Sequence, residues 1–198
     1  NFSNFDNKHL TIHTNEEIIS KSTIQRKIPN INKIAYLIYT SGTTSEPKGV
    51  PISQEMIEFT TKNIVKVLGY SKNDIDLTPL PLYHSFGLGC LHTSIYVGST
   101  FVLLKNSNNL ENILNSLKKY NATTLAVVPA TLTKFLKFEN QYLHEKFSNI
   151  KLIITNSTSI PKETVNDFKQ IIKNRKLATY YGLTEASRST FMIFNENS

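Results

Sequence analysis

The sequence predicts an α/β protein, built as a layered and mostly parallel β-sheet flanked by helices. Short apolar runs of strand length recur along the chain, and most are followed by segments whose apolar residues are spaced for one face of a helix. Such alternation is typical of parallel sheets covered by helices. A length of 198 residues is sufficient for one domain with a substantial buried core.

The predicted elements follow one another in a regular order. A strand is expected over Ile34–Tyr39, and Ser53 offers the N-cap of the next helix. One buried face is predicted for this helix from the spacing of Met56, Ile57, Ile64, Val67 and Leu68. The later elements are a strand over 100–104, a helix over 110–120, a strand over 123–128, a short helix after Pro129, a strand over 151–155, a helix after Pro161 and a strand over 177–181. The polar residues 1–30, with a short strand over 10–14, are expected to form an edge or linker segment, and the domain proper to occupy 31–198.

Charge and composition exclude several classes of protein. The net charge of +7 suits a nucleic-acid partner, but arginine, the usual reader of base edges, occurs only at Arg26, Arg175 and Arg188. We therefore expect no nucleic-acid function. No apolar run reaches the roughly 18 residues of a membrane span, so neither a span nor a signal peptide is expected. The single cysteine, Cys90, favours a reducing, cytoplasmic setting.

A hydroxyl-rich loop follows the first predicted strand and ends in a lysine. It reads Tyr39-Thr-Ser-Gly-Thr-Thr-Ser-Glu-Pro-Lys48-Gly-Val. Hydroxyl donors, backbone amides beside a glycine and one cation are the groups that bind a polyphosphate. The candidate ligands are Thr40, Ser41, Gly42, Thr43, Thr44, Ser45 and Lys48. The ordinary P-loop is excluded, because Pro47 stands where its second glycine would be and Gly49 where its metal-binding hydroxyl would be.

This loop resembles the phosphate loop of the adenylate-forming enzymes, the superfamily of acyl-CoA synthetases, luciferases and peptide-synthetase adenylation domains. Its usual form there is Tyr-Thr-Ser-Gly-Thr-Thr-Gly-x-Pro-Lys-Gly, and Ser45 replaces the family's next glycine. Two further segments follow in the expected order. Leu80-Pro-Leu-Tyr-His84-Ser-Phe-Gly87 is similar to the segment that gates the acyl pocket, and Tyr181-Gly-Leu-Thr-Glu185 is similar to Tyr-Gly-x-Thr-Glu.

The resemblance implies a role for each matching residue. Lys48 and the loop would hold the β- and γ-phosphates of ATP, Thr184 the α-phosphate, and Glu185 a Mg²⁺ ion, a hard cation that prefers oxygen ligands. His84 would line the acyl site. Adenine would lie against Tyr181 and Gly182 and against a turn formed by Asn156, Ser157 and Thr158, where the family's glycines are absent. The implied catalytic group is Lys48, His84, Thr184 and Glu185.

The implied reaction joins a carboxylic acid to ATP as an acyl-adenylate, with CoA or the phosphopantetheine thiol of an acyl carrier protein as acceptor. The gating segment has no acidic residue to pair with an amine, which favours a fatty or aryl acid over an amino acid. The resemblance covers 34–198, the middle of the family's N-terminal domain, so we expect a fragment with negligible turnover alone. The alternative is a degenerate or non-catalytic nucleotide-binding domain, suggested by Ser45 and the altered adenine turn.

Overall fold

The computed structural model describes residues 33–40, 48–105, 109–173 and 175–194. The predictions for the N-terminal segment 1–30, and those for Ser41, Gly42, Thr43, Thr44 and Ser45 of the phosphate loop, lie outside the described residues.

Within the described residues, eight strands form two separate sheets. The strands are β1 (Ile34–Thr40), β2 (Lys48–Ser53), β3 (Ile75–Thr78), β4 (Thr100–Leu103), β5 (Thr124–Val127), β6 (Leu152–Thr155), β7 (Lys176–Tyr181) and β8 (Thr190–Phe194). Six of them form the main sheet in the order β4-β3-β5-β6-β7-β8, and every pairing is parallel except that of β7 with β8. The predicted fold class is therefore confirmed.

Helices cover both faces of the main sheet. They are α1 (Gln54–Leu68), α2 (Ser85–Val97), α3 (Leu110–Lys119), α4 (Pro129–Phe135), α5 (Asn140–Lys146) and α6 (Lys162–Ile172). Alternate residues of each central strand point to opposite faces, so Ile153 packs in the core with α3 to α6, and Ile154 packs in the core with α1 and α2. Burial on both faces explains why β5 and β6 are mostly apolar.

The strands on either side of the phosphate loop form a hairpin. β1 and β2 pair antiparallel, with Tyr39 opposite Gly49 and Thr40 opposite Lys48, and neither strand joins the main sheet. The alternation of strands and helices predicts that β1 belongs to the parallel sheet, and this expectation is wrong. β1 pairs with β2 instead. The sequence does not indicate a strand at β2, because Pro51 interrupts its apolar residues. A proline is tolerated there because each strand of a two-stranded ribbon is an edge strand.

The predicted N-cap of α1 is confirmed. The Ser53 hydroxyl accepts a hydrogen bond from the backbone nitrogen of Met56 at 3.2 Å, and Gly69 ends the helix in the left-handed conformation. The predicted single buried face of α1 is only partly correct. Ile64 and Leu68 are buried, whereas Met56 is 42% exposed. No helix within the described parts of the chain has the length and apolar character that crossing a membrane requires.

Candidate functional site

A cleft of about 400 Å³ opens between the hairpin, the two helices α1 and α2, and the segment after β7. We call it the central cleft. Its lining residues are Tyr36, Ile38 and Ile52 of the hairpin, Met56, Ile57, Phe59, Thr60, Thr61, Asn63 and Ile64 of α1, Ser85, Gly89 and His92 of α2, and Thr184, Glu185, Ala186, Ser187, Arg188 and Ser189. The hairpin that flanks the phosphate loop and the Thr-Glu motif thus border the same space.

The Thr-Glu segment forms a tight turn between β7 and β8. The backbone nitrogen of Leu183 donates to the carbonyl of Ala186 at 3.1 Å, and the nitrogen of Ala186 donates back to the carbonyl of Leu183 at 3.2 Å. A side chain at Gly182 would overlap the backbone nitrogen of Arg188. The turn needs Gly182 for this close approach, and it places Thr184 and the exposed Glu185 at the cleft.

Arg188 is the buried charge of the central cleft. Its side chain lies against Gly89, where an added Cβ would be 2.8 Å from Nη2. Nη2 donates to the carbonyl of Phe86 at 3.1 Å and to Sγ of Cys90 at 3.5 Å. The guanidinium also lies 4.9 Å from the ring centroid of Tyr180. The backbone of Arg188 has φ of 54°, which a non-glycine residue rarely adopts, so this position is constrained by its surroundings.

An aromatic pair lines the cleft beside Arg188. The rings of Tyr36 and His92 stack with centroids 5.9 Å apart and an interplanar angle of 22°. Burial, with a contribution from the charge of Arg188, lowers the pKa of His92 to about 4. Burial raises the pKa of Tyr36 to about 12. Both side chains are therefore neutral near pH 7, and this wall of the cleft carries no charge.

The residues assigned to adenine lie together at the carboxyl edge of the main sheet. β6 and β7 are parallel neighbours with Thr155 opposite Thr179, so the turn over 156–158 and the end of β7 at Tyr181 are adjacent. Tyr181 is 65% exposed and available for stacking. Thr184 and Glu185 line the central cleft. The residues expected to bind adenine lie outside its lining; they are Asn156, Ser157, Thr158, Tyr181 and Gly182.

The other predicted site residues flank the cleft. Lys48 begins β2 and is exposed, and the hydroxyl of Thr40 reaches its carbonyl at 3.5 Å. His84 is the N-cap of α2, exposed, with its ring 4.6 Å from that of Tyr83. Neither Lys48, Thr40 nor His84 is among the described lining residues, although Ser85, the next residue after His84, is one of them.

The donor set suits a Mg²⁺ ion shared with a substrate. Within the described ranges, no group of three or more His, Cys, Asp or Glu side chains could hold a metal alone. Mg²⁺ is usually bound by one or two protein carboxylates together with substrate phosphates and water. Glu185, a single exposed carboxylate at the cleft, fits that mode of binding.

A buried carboxyl, Asp76, interacts electrostatically with Arg188 from the main sheet. Thr124 donates a hydrogen bond to Oδ1 of Asp76, but Oδ2 has no partner. Burial raises the pKa of Asp76 to about 7, from about 3.9 in an unfolded chain. Between these pH values the folded state binds the proton more tightly, so the stability that Asp76 contributes falls as the pH rises from about 4 to about 7.

Asp76→Asn should remove this dependence. The free energy of unfolding of the variant, relative to the wild type, is expected to increase as the pH is raised through that window. Urea unfolding of the full-length protein at a series of pH values measures the difference. Asp167→Asn, at an exposed position of α6, is the matched control and should show little change. A pH-independent difference for Asp76→Asn would contradict the assignment.

Two residues of the cleft, Arg188 and His92, have no role that the sequence motifs predict. The signal for Arg188 was its position three residues after Glu185, but its burial and its stacking on Tyr180 depend on residues distant in sequence. His92 lies about two helical turns after His84 on α2. This spacing does not predict that His92 contacts Tyr36, which lies on a different element.

Comparisons with known proteins agree with this geometry. The profile of the family "AMP-binding enzyme" matches residues 3–198. The chain is 28% identical over 173 residues to acyl-CoA synthetase 7 of Caenorhabditis elegans, covering 81% of this chain and 31% of that protein. It is also 28% identical, over a 207-residue alignment, to the chloroplastic/peroxisomal 2-succinylbenzoate–CoA ligase of Arabidopsis thaliana, covering 98% of this chain and 35% of that one.

A solved structure confirms the fold. The O-succinylbenzoate coenzyme A synthetase of Bacillus subtilis, in complex with AMP, superposes with a TM-score of 0.72 at 27% identity, covering 82% of this chain and 33% of that one. The chain thus spans about a third of the length of the curated relatives described above. With a profile match over nearly all of its residues, a matching fold and the motifs in order, the chain belongs to the AMP-binding enzyme family.

Proposed function

We propose that the chain is part of an ATP-dependent ligase that activates a carboxylic acid as an acyl-adenylate. One observation carries the proposal. The Thr-Glu turn and the hairpin that flanks the phosphate loop border one cleft, although more than a hundred residues separate them in sequence. The curated relatives include CoA ligases, which supports the same chemistry.

The reaction requires the residues to offset negative charge. A carboxylate oxygen attacks the α-phosphorus of ATP, a new oxygen–phosphorus bond forms, and the bond to pyrophosphate breaks with its electron pair leaving on pyrophosphate. Positioned donors and cations stabilise such charge. Lys48 would hold the β- and γ-phosphates and the Thr184 hydroxyl would donate to the α-phosphate. Glu185 would hold Mg²⁺, which supplies positive charge when bound.

The remaining predicted residues would position the two substrates. Adenine would stack on the exposed ring of Tyr181 and lie along the turn over 156–158. His84 would face the carboxylate from the N-terminus of α2, where the helix dipole also favours an anion. The acid is proposed to be fatty or aryl, and the acceptor to be CoA or the thiol of an acyl carrier protein. The boundary of the domain at residue 31 and the cytoplasmic setting stay predictions.

Exchange of labelled pyrophosphate into ATP tests this function. The full-length protein is expected to catalyse exchange only when a suitable acid is present, and to form a thioester with either CoA or a carrier-protein thiol. The acids tested should include fatty, aryl, dicarboxylic and amino acids. Exchange with amino acids alone would contradict the proposed acid class. ATP binding without exchange for any acid would instead favour a non-catalytic nucleotide-binding domain.

A further inference from the structure

Arg188 is a buried cation that lines the central cleft. Its residue is 4% exposed, in contrast to Glu185, which is exposed at the same cleft. Nη2 has acceptors in Phe86 and Cys90, but Nε is buried without any hydrogen-bond partner. The guanidinium therefore retains donor capacity that its protein contacts leave unused.

The buried carboxyl that interacts electrostatically with Arg188, Asp76, does not form an ion pair with it. Within the parts of the chain that the structure describes, no carboxylate lies within 4.0 Å of its guanidinium, and the ion pairs found there involve Lys62 and Lys151. The rings of Phe86 and Tyr180 lie 5.7 and 4.9 Å from it and offset part of the cost of burial. A guanidinium is always charged in proteins, and a buried charge is costly unless it is paired. This arrangement suits an anionic ligand.

Part of the lining of the cleft fits a carbon skeleton. Ile38 and Ile52 of the hairpin and Ile64 of α1 are apolar, and His92 is neutral. Hydroxyl and amide side chains are also present, and apolar walls with a small number of polar groups are typical of small-molecule sites. The volume of about 400 Å³ accommodates a short aliphatic or aryl acid.

We propose that the acid activated by this protein is a dicarboxylic acid, and that Arg188 binds the carboxylate that does not react. The inference rests on the proposed adenylate-forming function and narrows its acid class. Because Nη2 already donates to Phe86 and Cys90, the distal carboxylate would be held by the charge of the guanidinium and by its remaining N–H donors. The reacting carboxylate would then lie toward Thr184, which belongs to the same turn as Arg188 and also lines the cleft.

Pairs of acids of equal length test the proposal in the full-length protein. Glutarate is compared with pentanoate, and terephthalate with para-toluate, by exchange of labelled pyrophosphate into ATP. The wild type is expected to prefer the dicarboxylate of at least one pair. Arg188→Gln should lower kcat/KM for that dicarboxylate about 30-fold, mainly through KM, with the matched monocarboxylate and the KM of ATP nearly unchanged. Arg188→Lys should retain part of the preference, because it keeps the charge but not the planar guanidinium that lies over Tyr180.

The matched control is Arg175→Gln, whose guanidinium donates to the carbonyl of Ser148 outside the cleft. It should leave both pairs unchanged. An equal loss for mono- and dicarboxylates, or a change confined to the KM of ATP, would overturn the proposal and assign Arg188 to structure or to the triphosphate. Exchange with monocarboxylates only would overturn it and leave the proposed function intact. Absence of exchange with every acid would count against both.

Calorimetry of the wild type keeps the test decisive if Arg188→Gln does not fold. Titration of the full-length protein with each acid in the absence of ATP should show tighter binding of the dicarboxylate. Weaker binding of the dicarboxylate than of its monocarboxylate partner would overturn the proposal without any variant.

Discussion

Lys48→Ala is expected to lower acid-dependent exchange between ATP and pyrophosphate about 100-fold in the full-length protein, the size of effect seen when one positioned electrostatic donor is removed. Lys48 is exposed at the start of β2, at the end of the phosphate loop, and pairs with Thr40 across the hairpin. No ion pair with a described carboxylate competes for its ammonium group. The charge is therefore free to approach the departing pyrophosphate, and its loss should reduce kcat more than it changes the KM of the acid.

Two further variants distinguish the loss of the positive charge at position 48 from a general effect on folding. Lys72→Ala removes an exposed lysine that precedes β3, at the amino edge of the sheet, and should leave exchange unchanged. Lys48→Arg keeps the charge with a different shape and should retain an intermediate rate. An unchanged rate in Lys48→Ala, or an equal loss in Lys72→Ala, would remove Lys48 from the proposed site.

Phe168→Ala should destabilise the protein by about 3–5 kcal/mol, the usual cost of deleting a fully buried phenylalanine. Phe168 lies on α6 with no exposed surface, and its ring meets that of Phe147 edge to face with centroids 5.8 Å apart. Deletion removes this contact and leaves a cavity in the core that joins α6 to α5 and to the main sheet. Urea unfolding of the full-length protein measures the loss.

Hydrogen exchange of peptides that cover 162–172 should localise the effect, because their amides are protected by α6. Phe59→Ala removes the same side chain from a helix position that is 67% exposed, and its free energy of unfolding should change by less than about 0.5 kcal/mol. Similar losses in both variants would show that burial in this core is not the source of the stability.

The main sheet could be predicted because its strands are buried on both faces. Such strands are continuous apolar runs, as in Leu152–Thr155, and they stand out from the amphipathic helices between them. The strand β3 and the helix α2 were missed for opposite reasons. Asp76 and Thr78 interrupt the apolar pattern of β3, and α2 has apolar or small residues on nearly all sides, so it shows no helical stripe.

The site could be predicted where chemistry lies in contiguous residues. Thr184 and Glu185 belong to one motif, and the structure brings both to the central cleft. His92 and Arg188 could not be predicted, since their properties come from burial and from partners on other elements. The positions of Met56 and Phe59 on α1 could not be predicted either. Both side chains are apolar, but they line the cleft and do not enter the core.

Arg188 occupies a space left by two glycines, Gly89 on α2 and Gly182 at the start of its own turn. For protein engineering this makes residues 89, 182 and 188 a coupled set. Exchanging Arg188 for a small neutral side chain would leave a void beside Gly89, and adding a side chain at Gly89 while Arg188 remains would produce a steric clash. A redesign of this cleft for monocarboxylic acids should therefore change residues 89 and 188 together and retain Gly182.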